Sequence, residues 1–154
     1  MAKHTKIYAY DIKTIEDKIM AFHSFDIQKI VYSTLNGDST LDGLVGNNKI
    51  FDNVPQDTAY PYVVIGTEVS RDNGSKTLDG RIYNFDIEVY SQYRGQKEVK
   101  DAMERIYTLF HDVTLTVSGA SNVMSRVVST NTLVEADGIT RQGIINVDFT
   151  TFDN

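Results

Sequence analysis

Apolar and polar positions along the chain fall into stretches of two different periods. Ile12, Ile15, Ile19 and Phe22 recur three or four residues apart, which predicts a short amphipathic helix with Asp11 as its N-cap. Ser24 or Asp26 can start a second helix of about 25–36 that buries Ile27, Ile30, Val31 and Leu35 and ends at Asn36-Gly37 in a left-handed cap. Leu41, Leu44 and Val45, between an Asp38-Ser39 cap signal and Gly46, predict a further helical turn, followed by an irregular polar connection. Val99, Ala102, Met103, Ile106 and Phe110 give the clearest helical stripe, over 96–111, closed by His111.

The strand signals lie between and after these segments. Tyr62 to Val69 is a β-branched and aromatic run opened by Pro61, and from Arg81 onwards Tyr83, Phe85, Ile87 and Val89 alternate against Asn84, Asp86 and Glu88. One wet face implies an antiparallel sheet. Asn73-Gly74 predicts a two-residue type I′ turn and a long hairpin with its tip near Asn73. Val113, Leu115 and Val117 predict a short edge strand. Residues 123–135 are rich in Val and Thr but alternate poorly. Ile145, Val147 and Phe149 alternate cleanly, and Asp137-Gly138 marks the turn between these last two strands. The order predicts an α+β fold: a mainly antiparallel four-stranded sheet, two helices packed on one face and a long protruding β-hairpin. Residues 1–24 read as an amino-terminal extension, helical or partly disordered, and 25–154 as a single α+β domain.

Composition narrows the function classes. A chain of 154 residues is the size of one domain, and its 15 basic against 21 acidic residues leave a net charge of −6 that disfavours general nucleic-acid binding. No apolar run approaches the roughly 18 residues of a membrane helix, and charges interrupt the first 24 residues wherever a signal-peptide core would need continuity. The absence of cysteine removes disulfides, thiolate metal sites and cysteine nucleophiles together.

Each motif with a chemical reading meets a simpler one. Gly74-Ser75-Lys76-Thr77 has the residues of a phosphate loop in the wrong order and lies between strands, where such a loop needs a strand and then a helix. Asp38 to Gly43 resembles the start of a calcium loop, but Lys49 stands where the bidentate Glu belongs, so Asp38 and Asp42 read as helix caps. His4, His23 and His111 lack metal-site spacing, and His111 suits the end of its helix. No serine sits in a nucleophile elbow. Asp86 and Glu88 alternate onto the wet face as solubilising charges, and Tyr83 and Phe85 alternate onto the helix-covered face as core, away from any base-stacking platform. Asn73-Gly74-Ser75 is a glycosylation acceptor only on an exported chain. No catalytic residue, cofactor or metal ligand is assigned.

Several short motifs in order are similar to the phage tail terminator (tail completion) family: Tyr60-Pro61-Tyr62-Val63-Val64-Ile65-Gly66, Ser91-Gln92-Tyr93-Arg94-Gly95 before a helix, and Asp137 to Gly143 before an alternating strand. The resemblance covers about 25–152. It implies a structural protein of tailed phages, prophages or gene transfer agents, without catalysis or cofactor, that assembles as a six-membered ring. It further implies placement at the head-proximal end of the tail, with the tail tube protein and a neck or head-completion protein as partners. Genome DNA would pass through the lumen without specific binding, no membrane would be involved, and assembly would take place in the host cytoplasm. Two departures stand out: residues 1–24 have no counterpart, and Gln142 occupies a position more often basic or His.

Within that frame the hairpin from Arg71 to Arg81 is the expected contact with a neighbouring subunit or the tube, through Arg71, Asp72, Asn73, Gly74, Ser75, Lys76, Asp79 and Arg81. Its edge groups and alternating charges could be satisfied by strand addition. Two other classes stay open at this point: another tail or neck component, such as a head-completion or tube protein, and a small α+β enzyme or ligand-binding protein working from the open sheet face.

Overall fold

The structure is a computed structural model, described here for residues 22–118, 120 and 122–153. The helix expected over 12–22, its Asp11 cap and His4 lie outside the described residues, apart from Phe22. In chain order the elements are α1 (Ser24–Asn36), α2 (Ser39–Val45), β1 (Ile50–Phe51), β2 (Tyr62–Asp72), β3 (Asp79–Ser91), α3 (Lys97–Phe110), β4 (Val113–Leu115), β5 (Val123–Val134) and β6 (Arg141–Asp153).

The α+β class is as expected, but the sheet is larger and mixed. It has six strands in the order β1-β2-β3-β6-β5-β4, where four antiparallel strands were expected. β1, a two-residue strand inside the connection read as irregular, pairs parallel with β2 at Val63 and Val64, while all other neighbours are antiparallel. Two residues carry no periodicity, so only the partner strand defines β1. Three described helices replace the expected pair, since the turn after Asp38 is a helix of seven residues.

The core lies between the helices and one face of the sheet. Val63 and Ile65 of β2, Tyr83, Phe85, Ile87 and Val89 of β3, Ile145, Val147 and Phe149 of β6, and Val123 and Val127 of β5 are buried together. Against them pack Ile27, Val31 and Leu35 of α1, Leu41 and Val45 of α2, and the full predicted stripe of α3. The poor alternation of 123–135 has a physical cause. A bulge between Val127 and Ser129 shifts the phase, so Val123 and Val127 face the core before it and Thr130 and Thr132 after it. β2 carries the same device between Ile65 and Glu68, which turns Val69 and Arg71 to the open face.

Local chemistry at the element ends departs from expectation at three points. α1 begins at Ser24 after His23, with no side-chain cap from Ser24 or Asp26. Gly37 closes α1 in the right-handed region (φ −90°), so its lack of a side chain serves close packing: a Cβ there would come within 2.9 Å of the Ser33 carbonyl. Asn73-Gly74 forms no type I′ turn, because neither residue has positive φ, and β2 and β3 are joined instead by the six-residue loop 73–78. By contrast Asp38 caps α2 as expected, accepting from the Leu41 N–H at 2.8 Å, and Gly138 takes the positive φ (+71°) that the β5–β6 turn requires.

Candidate assembly surface

The hairpin residues occupy one end of the sheet. Arg71, Asp72, Asn73, Gly74, Ser75, Lys76 and Asp79 are exposed, while Arg81 is half-buried. The loop is held by its own polar groups. Asn73 N–H donates to the Gly80 carbonyl (2.9 Å), Ser75 N–H donates to the Leu78 carbonyl (2.7 Å), and Ser75 Oγ accepts from Leu78 N–H (3.1 Å). The arm does not stand free as expected, because β6 runs alongside β3 for its full length, from Ser91↔Arg141 to Asp79↔Asp153. Two of the expected contact charges are also engaged within the chain. Arg71 Nη2 pairs with Asp148 on β6 at 3.0 Å, and the Arg81 guanidinium lies 5.7 Å from the Phe22 ring centroid. Asp72, Lys76 and Asp79 make no ion pair among the described residues, and they carry the hairpin's outward charge.

Two further features complete this surface. The first is the pair of sheet edges. β1 covers β2 only at Val63 and Val64, and β4 covers β5 only at Val123–Ser125. Among the described residues the remainder of each outer edge, Ile65–Asp72 and Arg126–Val134, has no ladder partner. Each open edge is flanked by a groove under a helix. One, of about 540 Å³, lies under α1 and is lined by Phe25, Lys29, Tyr32, Phe51 and Ile65. The other, of about 480 Å³, lies under α3 and is lined by Lys100, Glu104, Tyr107, Thr130 and Thr132. Phe25, the second residue of α1, is 69% exposed, an unusual state for a phenylalanine.

The second feature is the uncovered face of the sheet, where polar groups link across strands. Asn84 Nδ2 donates to Asn146 Oδ1 (2.6 Å) and Asp148 Oδ1 (2.5 Å), and Asn146 Nδ2 donates to Asp86 Oδ1 (2.7 Å). Towards the other end Gln142 donates to the Tyr90 hydroxyl (2.9 Å), which donates to Glu88 Oε2 (2.6 Å). Burial, and then the Glu88 carboxylate, raise the Tyr90 hydroxyl well above the usual phenol range. Tyr62, stacked on Tyr90 at 5.3 Å, is pushed up to about 12 by burial and by its hydrogen bond with Tyr60. Asp86, Glu88 and Asp148 make this face acidic. The basic groups near it, Arg71 and Arg126, already meet carboxylates, Asp148 and Asp112.

The candidate chemical motifs stay structural. Asp38 accepts both Arg105 Nε (2.8 Å) and Nη2 (2.6 Å) besides capping α2, and that guanidinium, together with the Leu41 N–H, holds its carboxyl below the ordinary range. Asp38, read as a helix cap and not as a calcium ligand, is therefore a cap and a helix-to-helix tie at once. His111 is the C-cap of α3 and stacks on Tyr107 at 4.4 Å, and the His23 N–H donates to the buried Tyr83 hydroxyl (2.8 Å). Among the described residues no group of three or more His, Cys, Asp or Glu is placed to hold a metal ion.

Among the described residues the chain is an α+β layer with open sheet edges and an acidic uncovered face. The sequence profile of the family described as Tail completion protein gp17 matches residues 29–151, and this chain belongs to that family. It is a structural tail component of a virion and not an enzyme. A curated relative, the tail completion protein gp17 of Bacillus phage SPP1, is 28% identical over 128 residues, spanning 83% of this chain and 93% of that one. In fold, the chain is similar to one from the virion of a native gene transfer agent particle, with a TM-score of 0.73 and 24% identity. That match covers 80% of this chain and 92% of the other.

Proposed function

We propose that copies of this chain form a ring at the head-proximal end of the tail tube, where the ring ends tube polymerisation and presents a docking surface to the neck. The observation that carries this reading is the family match over 29–151, which takes in α2, α3, most of α1 and nearly the whole sheet together with both open edges. The exposed loop 73–78, with Lys76 and Asp79 at the end of three adjoining strands, is the surface offered to the tube or to a neighbouring subunit. Heterologous contacts close into a ring only when their rotation closes, so the placement of edges and hairpin decides ring against filament. An acidic sheet face turned inwards would let genome DNA slide through without adhering, because like charge repels the phosphates.

Electron microscopy of the purified protein mixed with tail tubes tests the reading. Density at one tube end only, with no further growth from that end, is the expected result. Decoration along the tube, or none, would reject it.

A further inference from the structure

The two short strands that cover the sheet edges sit at opposite ends of the sheet, and this dictates how two copies can join. β1 blocks β2 beside Val89 and Glu88 of β3, far from the hairpin loop, whereas β4 blocks β5 at Val123–Ser125, beside Thr151 to Phe149 of β6 at the hairpin end. If β2 of one copy met β5 of the next at equal height, β1 of the first and β4 of the second would each occupy the place of a pairing strand. Sliding the second copy towards the first copy's hairpin loop removes both collisions. The shift must be an even number of residues, because an odd one would turn every core-facing side chain to the wrong side. Two residues still leave Val134 at the height of β1. Four clear both blocks.

We propose that neighbouring copies join by antiparallel pairing of Ile65–Asp72 with the next copy's Val127–Val134, staggered by four residues, with α1 of one copy facing α3 of the next. The proposal rests on the ring reading above and specifies its interface. In this register Val134, 47% exposed, comes opposite Ile65 in the floor of the groove under Phe25. Val69, 59% exposed, comes opposite Asn131 on the open face. The facing helix surfaces share an aromatic and mixed-charge character: Phe25, Tyr32, nearby Asp52 and Lys29, the last paired with Asp26 of its own helix at 2.9 Å, on one side, and Tyr107, Glu104 and Lys100 on the other. The occupant of both grooves is therefore a second copy of this chain.

The stagger has a geometric consequence. Each copy contributes four long strands, β2, β3, β6 and β5, so four residues of shift per copy is one residue per strand. That ratio of shear to strand number is the one at which closed sheets tilt their strands by about 36°. It holds for any number of copies. With strands about 4.8 Å apart, six copies would enclose a cylinder roughly 45 Å across between backbones. The helices, which need the larger circumference, lie outside, and the acidic face lines the channel.

The chain contains no cysteine, so paired cysteines report the register without background. Val69→Cys with Asn131→Cys should cross-link successive copies on oxidation of capped tails, giving a ladder of covalent multimers. The two positions cannot bridge within one copy, because β3 and β6 lie between their strands. Both side chains are exposed, and circular dichroism would verify the fold. Val69→Cys with Arg126→Cys, aligned at equal height, should give no ladder. A ladder from the second pair alone, or from neither pair in tails that microscopy shows to be capped by a ring, overturns the staggered contact while leaving the ring intact. Loss of one-ended capping by the wild-type protein would overturn both.

Discussion

Gly143 and Met103 touch across the interface between β6 and α3 so closely that a Cβ on Gly143 would overlap Met103 Sδ, and it would lie 2.9 Å from Val99 Cγ2. The missing side chain lets the middle of α3 sit directly on the sheet. Replacing Gly143 with alanine must push α3 outward or force Met103 off its rotamer, at about 1–3 kcal/mol, and Gly143→Val should cost more. Urea unfolding monitored by circular dichroism would show it. An unchanged midpoint for both variants would mean that the helix yields freely.

The Asp38–Arg105 tie should matter comparably. Asp38, whose side chain is 10% exposed, receives two guanidinium donors and one backbone N–H, so Asp38→Ala removes a helix cap and strands a half-buried cation. A loss of about 2 kcal/mol is expected. The pH dependence has a fixed sign. Because the folded-state carboxyl titrates below its unfolded value, its contribution is complete above the ordinary carboxylate range and fades as pH falls through the depressed one. Acid unfolding of Asp38→Ala should therefore be shallower than that of the wild type.

The tyrosine pair on the open face predicts the opposite limb. Tyr62 and Tyr90 hold their protons in the folded chain beyond the pH at which an unfolded tyrosine ionises. Their contribution is complete below about pH 10 and is lost as pH rises towards about 12. Ultraviolet titration should show these phenols ionising only with alkaline unfolding, and Tyr90→Phe should remove part of the delayed absorbance.

Removing residues 72–79 tests the hairpin separately from the fold. Only the end residues Asp72 of β2 and Asp79 of β3 belong to strands and no core side chain lies in this segment, so a shortened turn between Arg71 and Gly80 should preserve the circular dichroism spectrum while abolishing one-ended capping of tubes. Unimpaired capping would exclude the loop as a contact.

Duplex DNA should not adhere to the assembled ring. A filter-binding titration at physiological salt is expected to show no retention, because Asp86, Glu88 and Asp148 outnumber the basic groups near that face. Asp86→Lys with Glu88→Lys should introduce salt-sensitive binding, and tight binding by the wild type would contradict a repulsive channel.

Much of the fold is legible in the sequence. The stripe Val99, Ala102, Met103, Ile106, Phe110 and the alternations of β3 and β6 are long enough for period alone to identify them, and every one of those side chains is buried. The motif order pointed to the tail completion family, and the profile match bears that out. Asn73-Gly74 does mark a connection between two strands, but the hairpin is no free arm, and nothing near Asp79 announces that Asp153 lies beside it. Asp38 is legible as a cap from its place before Ser39, while its partner Arg105 is 67 residues away and leaves no local trace.

Period, capping and turn chemistry are local properties, and they determined which segments of this chain are helices and strands, which face of each is apolar, and that no catalytic constellation is present in its motifs. Tertiary structure decided the rest: the two-residue β1, the phase shifts at both bulges, the cross-strand ladder from Arg71 to Asp86, and above all the opposite placement of β1 and β4 that leaves two staggered edges open. Those features depend on which strands become neighbours, and neighbourhood is set by the packing of the whole core, beyond the reach of any window along the chain.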